Sequence, residues 1–158
     1  LSKNLEIIFC GSAAGTASAK KQVYYAGPGN KFWATLYEIG LTPRIFSSNQ
    51  CHLLLDLGIG LTDMAKFVYG SDASLPKGSD DPARIHQIVD ESNPTALAFV
   101  GKRAAKVFFK SQFGIKNVPY GIQKQTINMT ELFVLPSPSG LAARYWDTRP
   151  WHELASYL

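Results

Sequence analysis

Three short apolar runs constrain this chain more than anything else in it. Residues 5–10 (LEIIFC), 95–100 (TALAFV) and 132–135 (LFVL) are apolar almost without interruption instead of alternating apolar with polar. Strands read this way when a parallel sheet covers them on both faces. A weaker run at 59–62 (IGLT) is the candidate second strand. Segments of helical spacing lie between the runs. Phe32, Trp33, Leu36, Tyr37 and Ile39 mark one amphipathic helix, which Asn30 can cap and Gly40 ends. Thr42 and Pro43 turn the chain into a second helical segment over 49–57. The stretch 63–79 is less regular and reads as a short helix plus surface loop. Asp80, Asp81 and Pro82 then form an N-cap with proline at the first helical position, and Asn93-Pro94 closes that helix. Gly101 opens a basic helix carrying Lys102, Arg103, Lys106 and Lys110, and Gly114 ends it. Trp151, Leu154 and Leu158 outline a terminal helix that packs on the sheet.

Strands alternating with helices imply right-handed crossovers in a parallel sheet. The expected fold is α/β, a three-layer α/β/α sandwich around a central, mainly parallel four-stranded sheet. With 158 residues, of which 46% are hydrophobic, the chain can fill one core but not comfortably two, so residues 1–158 read as a single domain. No run of about 18 apolar residues is present to span a bilayer. The first residues (LSKNLE) lack the apolar stretch of a signal peptide, so the expected location is cytoplasmic and bacterial-type. A net charge of +4 permits a polyanionic partner and is equally ordinary for a basic soluble protein. Cys10 and Cys51 have no C-x-x-C or Cys/His spacing, and His52, His86 and His152 share no motif. Both cysteines read as buried thiols, and neither a metal nor an organic cofactor is expected.

Two loops should lie at the same edge of this sheet: 11–29 after the first strand and 136–143 after the last. Ligands of α/β sheets bind beyond the carboxyl ends of the strands, where backbone N–H groups meet them. Gly11 and Gly15 allow close backbone approach. Neither loop carries G-K-[ST] or G-x-G-x-x-G, so a nucleotide-binding Rossmann-like domain is disfavoured.

In order and spacing, several motifs resemble the uracil-DNA glycosylase superfamily over nearly the whole chain. They are IIFCG-x-x-x-G, the aromatic pair Tyr24 and Tyr25, Pro28, and Asn30-Lys31-Phe32-Trp33, followed by Gly60-Leu61-Thr62-Asp63, Ala98-Phe99-Val100-Gly101-Lys102 and LPSPSGL at 135–141. The likeness is greatest to the mismatch-specific uracil/thymine branch and to the hypoxanthine-DNA glycosylases. It implies a monofunctional enzyme acting as a monomer on DNA that contains deaminated bases. Such an enzyme flips the damaged base out, hydrolyses its N-glycosidic bond and so starts base excision repair, close to the nucleoid.

The resemblance also assigns residues. Gly11, Ser12 and Ala13 would line the base site, with a backbone donor near Ser12, and Tyr25 would stack on the base. Because Tyr24 and Tyr25 are adjacent, only one can face the site if the segment is extended. Ser137 stands where relatives have Asn or His, and a hydroxyl stabilises a departing anion less well than an imidazole. Ala13 stands where the mismatch branch has the Asn that positions water. Some branches that lack this Asn use a polar residue just before the next helix, which here is Asn30; propensity alone would make Asn30 only an N-cap. Ser139, Gly140 and Leu141 match the wedge that enters the duplex, and an exposed leucine in a turn is the plainer alternative. Lys31, Arg144, Lys102 and Arg103 could hold phosphates or simply face solvent. Asp63 replaces a residue that is basic in some relatives; it could alter base choice or cap a following helix. The losses at Ala13 and Ser137 keep open a rival reading, a non-catalytic binder of damaged or abasic DNA.

Overall fold

The computed structural model describes residues 5–66, 68–70 and 75–158. Its sheet has five strands in the order β2-β1-β3-β5-β4, where β1 is Ile7–Gly11, β2 Ile59–Asp63, β3 Ala96–Val100, β4 Gly121–Ile127 and β5 Thr130–Leu135. The first four in that order are parallel, and β4 runs antiparallel to β5 at the edge. The α/β fold is as expected, with one strand more than the four read from apolar runs.

Continuous apolarity in the strands reflects burial on both sides. Ile8 and Cys10 of β1 join one core with Leu97, Phe99, Leu132 and Val134. Ile7 and Phe9 join the other with Ala98, Val100, Phe133 and Leu135. The first core is closed by helices α3 (Pro82–Ser92) and α4 (Lys102–Phe113) through Ile85, Val89, Ala105, Phe108 and Phe109. Phe32 and Leu36 of helix α2 (Phe32–Glu38), Leu54 of the 3-10 helix Ser48–Leu57, and Trp151 and Leu154 of helix α5 (Arg149–Tyr157) close the second. These are the three expected layers. Cys10 is buried, whereas Cys51 is only partly so.

Local chemistry explains most boundaries. The Asp81 carboxylate accepts the N–H of Arg84 at 3.0 Å and caps α3, with Pro82 in the first turn. Gly114 ends α4 in the left-handed region at φ 68°. The segment 49–57 is helical as expected, but as a 3-10 helix that begins one residue earlier in a capping box between Ser47 and Gln50. One expectation changes: the loop after β1 contains a short helix, α1 (Thr16–Lys21). The short helix expected within 63–79 falls partly on residues 67 and 71–74, which lie outside the described residues.

Candidate active site

Four parallel strands deliver their carboxyl ends to one edge, and the site is built from the loops beyond those ends. Register pairs Gly11 at the end of β1 with Asp63 at the end of β2. Past this pair the two segments stay bonded: Met64 N–H donates to Gly11 O at 2.7 Å, Ala65 N–H to Ser12 O at 2.8 Å and Gly70 N–H to Ala14 O at 2.9 Å. The half-buried residues Ser12 and Ala13 are thereby held against the chain that leaves β2.

The loop then turns back through α1. Ser18, buried, accepts the N–H of Ala26 at 2.8 Å and fixes the approach to the tyrosines. Tyr25 sits at φ 53°, an uncommon conformation for a bulky residue, so the pair is not extended. The two rings stay neighbours, with centroids 6.1 Å apart and planes tilted by 39°, but take different partners. Tyr24 is held by Lys66, whose Nζ donates to Tyr24 Oη at 2.8 Å, and its carbonyl accepts Trp33 Nε1–H at 3.3 Å. Tyr25 stacks on Phe32 with ring centroids 3.9 Å apart and 24° between planes. Its hydroxyl reaches the space beside Gly11, where it is buried with no hydrogen-bond partner among the described residues.

The first and last loops meet directly. Lys31 N–H donates to Pro138 O at 2.9 Å. A Cβ on Gly140 would stand 3.1 Å from Pro28 O, so a side chain there would have to push the two loops slightly apart. The N-cap of α2 is Lys31, not Asn30 as expected; Asn30 stands one residue before it and its Oδ1 accepts the N–H of Phe32, the first helical residue, at 3.0 Å, while its Nδ2 remains a donor. Ser137 packs over Gly101, whose φ of 113° would strain any side chain, and accepts the N–H of Ser139 at 3.3 Å. Trp151 Nε1–H, from the second core, donates to Pro136 O at 3.1 Å and anchors the start of the same loop. Ser139 Oγ accepts Leu141 N–H at 3.2 Å and starts the 3-10 turn Gly140–Tyr145, which leaves Leu141 90% exposed.

Charge is distributed unevenly around these loops. Burial raises the Asp63 carboxyl from 3.8 to about 6, although Lys66 and Arg84 pull it down. Arg84 is bound to this strand end, donating to Thr62 Oγ1 at 3.2 Å and to the backbone carbonyl of Asp63. Burial first, and the charge of Asp63 second, hold the Tyr25 phenol protonated well beyond its ordinary range. Among the described residues no cluster of His, Cys, Asp and Glu is arranged to hold a metal ion, and no helix is long and apolar enough to cross a membrane.

The family model for the uracil DNA glycosylase superfamily matches residues 1–157. The chain belongs to that superfamily. A solved structure from Methanosarcina acetivorans, determined by solution NMR and titled "a putative Uracil DNA glycosylase", is similar in fold, with a TM-score of 0.64 and 22% identity over 99% of this chain and 91% of that one. Superfamily membership makes hydrolysis of an N-glycosidic bond in DNA the chemistry that these loops must account for.

Most residues assigned by the resemblance come together. Gly11, Ser12, Ala13, Tyr25, Asn30 and Lys31 lie on the first loop or at its end, and the backbone bond to Pro138 joins them to the loop carrying Ser137, Ser139, Gly140 and Leu141. Arg144 and Lys31 lie over the rings of Tyr145 and Trp146, at 5.2 and 5.6 Å, which leaves their charges available near the wedge turn. Arg103 is committed elsewhere, paired with Asp80 through contacts of 2.7 and 3.0 Å that tie α4 to the start of α3. Asp63, which could alter base choice or cap a following helix, is buried at the site; the capping alternative falls partly on residues 67 and 71–74, outside the described residues.

Proposed function

We propose that this protein is a monofunctional DNA glycosylase that flips a deaminated base out of DNA and hydrolyses its N-glycosidic bond. Uracil is the first expected base, followed by hypoxanthine, xanthine and mismatched thymine. The observation that carries this reading is the junction of the two loops at Lys31 and Pro138 within a chain of this superfamily. One loop would supply the base site and the other the wedge.

In this reading the flipped base stacks on the face of Tyr25 opposite Phe32, and the firm aromatic backing keeps that ring from yielding. Gly11, Ser12 and Ala13 present backbone to the base edge. Asn30 spends its carbonyl oxygen on the Phe32 amide at the start of α2 and offers Nδ2–H to orient a water at the sugar. Ser137 and Ser139 line the sugar and phosphate side, and Leu141 fills the gap left in the duplex. Lys31 and Arg144 steady backbone phosphates. Cleavage of this kind is strongly dissociative, so placing the water and stabilising developing charge supply most of the rate. The enzyme would work as a monomer in the cytoplasm, with an abasic site as its product.

Single-turnover base release from oligonucleotides carrying each of the four bases, in single and double strands, tests the reading. Wild-type protein should leave alkali-labile sites, and Asn30→Ala should slow release by roughly a hundredfold, about 2.7 kcal/mol of barrier. Tight binding to damaged DNA with no release from any substrate would instead establish the lesion binder.

A further inference from the structure

Asn30 can orient a water but cannot take its proton, because its one acceptor oxygen is bonded to the Phe32 amide and its Nδ2 only donates. A proton acceptor has to come from another side chain, and one at the strand ends is placed beside the start of the first loop. Asp63 is 6% exposed, yet it lies at the carboxyl end of β2 directly beside Gly11. A Cβ built on Gly11 would meet Asp63 Oδ1 at 2.8 Å and Tyr25 Oη at 3.2 Å. Two atoms so placed are no more than about 6 Å apart, the span of two hydrogen bonds through one water. Tyr25 Oη is a buried donor without a partner among the described residues, and buried polar groups are normally satisfied. The missing side chain of Gly11 leaves the room between them.

We infer that the nucleophilic water lies over Gly11, held by Asp63 and Tyr25 and not by Asn30 alone, and that the Asp63 carboxylate is the general base of the reaction. This rests on the glycosylase reading above. Tyr25 O–H donates to the water oxygen, and the water donates one proton to Asp63. As the C1′–N bond of the flipped nucleotide breaks, the bonding pair leaves with the base, and the water oxygen forms the new bond to C1′. Its proton passes to the Asp63 carboxylate, which later releases it to solvent, while the base anion takes a proton from bulk water. Atoms and charge balance as a hydrolysis.

Several groups face Asp63 from the elements around it. Cys10 lies on β1 and is kept neutral by burial and by Asp63 itself. Tyr25 comes from the first loop, Lys66 from the segment after β2, and Arg84 from α3. Burial outweighs both cations and leaves Asp63 with a pKa of about 6. A base of that strength is ionised at neutral pH and still basic enough to take a proton from water in the transition state. The Tyr25 phenol stays protonated throughout and serves only as donor.

Single-turnover base release between pH 5 and 8 tests the inference. Wild-type rate should rise close to tenfold per pH unit below about pH 6 and level off above it. Asp63→Asn should lose a hundredfold or more and the pH dependence with it. Tyr25→Phe keeps the stacking ring, so it should lower the rate about tenfold while leaving affinity for damaged DNA unchanged. Gly11→Ala should slow release by filling the water position. An Asp63→Asn protein with wild-type rate and profile would overturn the inference and leave the glycosylase reading standing. A flat wild-type profile would do the same without any variant, should Asp63→Asn fail to fold. If wild-type protein released no base at all, the glycosylase reading itself would fall.

Discussion

A buried carboxylate without a strong partner is costly, and Asp63 shows the cost as a raised pKa. Its acid form is favoured in the folded state up to about pH 6, against 3.8 for the free group. Between these values the folded protein binds more protons than the unfolded chain, so this group's contribution makes stability fall as pH rises, and the loss persists above pH 6. Asp63→Asn should therefore stabilise the protein at pH 7 by on the order of 2–3 kcal/mol. The gain should disappear below about pH 4, which thermal melts at pH 4 and 7 would reveal. An increase in stability with a loss of base release is the opposite of what a purely structural carboxylate would give. In the sequence Asp63 is visible only as a departure from a motif. Its burial and its proximity to Tyr25 Oη arise from the β1–β2 register and from the left-handed turn at Tyr25, neither of which leaves a local signature.

Elements were most legible where a boundary is enforced by one residue's chemistry. Asp81 and Pro82 mark the start of α3, and Asp81→Ala should cost about 1 kcal/mol in chemical denaturation. The turn Gly140–Tyr145 is equally local, with Ser139 as its cap and Leu141 at its tip. Leu141→Ala should reduce base release from duplex DNA by about tenfold and leave single-stranded substrates nearly unaffected, since unstacking a duplex costs a few kcal/mol that a single strand does not require. The ratio of the two rates is the measurement. By contrast, β4 was not legible. Its outward positions include the exposed Ile122, while the inward Gln123 is buried and satisfies itself on Pro119 O and Gly121 O. This pattern runs against the usual alternation, and the register shifts between Ile122 and Thr126. Glu153 of α5 further holds the strand by accepting Ile122 N–H at 2.7 Å, a contact made in tertiary space.

Across the whole molecule, the second core and the site are mechanically one body. Trp151 is fully buried, stacks near Phe9 with centroids 5.9 Å apart, and donates its indole N–H to Pro136 O. Trp151→Ala should destabilise the protein by roughly 3–5 kcal/mol. Trp151→Phe, which keeps much of the volume but removes the donor, should lower base release more than it lowers the melting temperature, because it frees the start of the loop that carries Ser137. Composition and periodicity were sufficient for the α/β class, the layer order and the edge of the sheet where the loops gather, since these depend on which residues must leave water and in what period. The family was legible in its motifs, which keep their order and spacing along the chain. Only the folded chain decided that Asn30 gives its carbonyl oxygen to the first amide of α2, that Tyr24 and Tyr25 take different partners, and that Asp63 and Tyr25 both face the space beside Gly11. Such outcomes depend on distances between segments remote in sequence, and burial, orphaned donors and shifted pKa values exist only once those segments have packed.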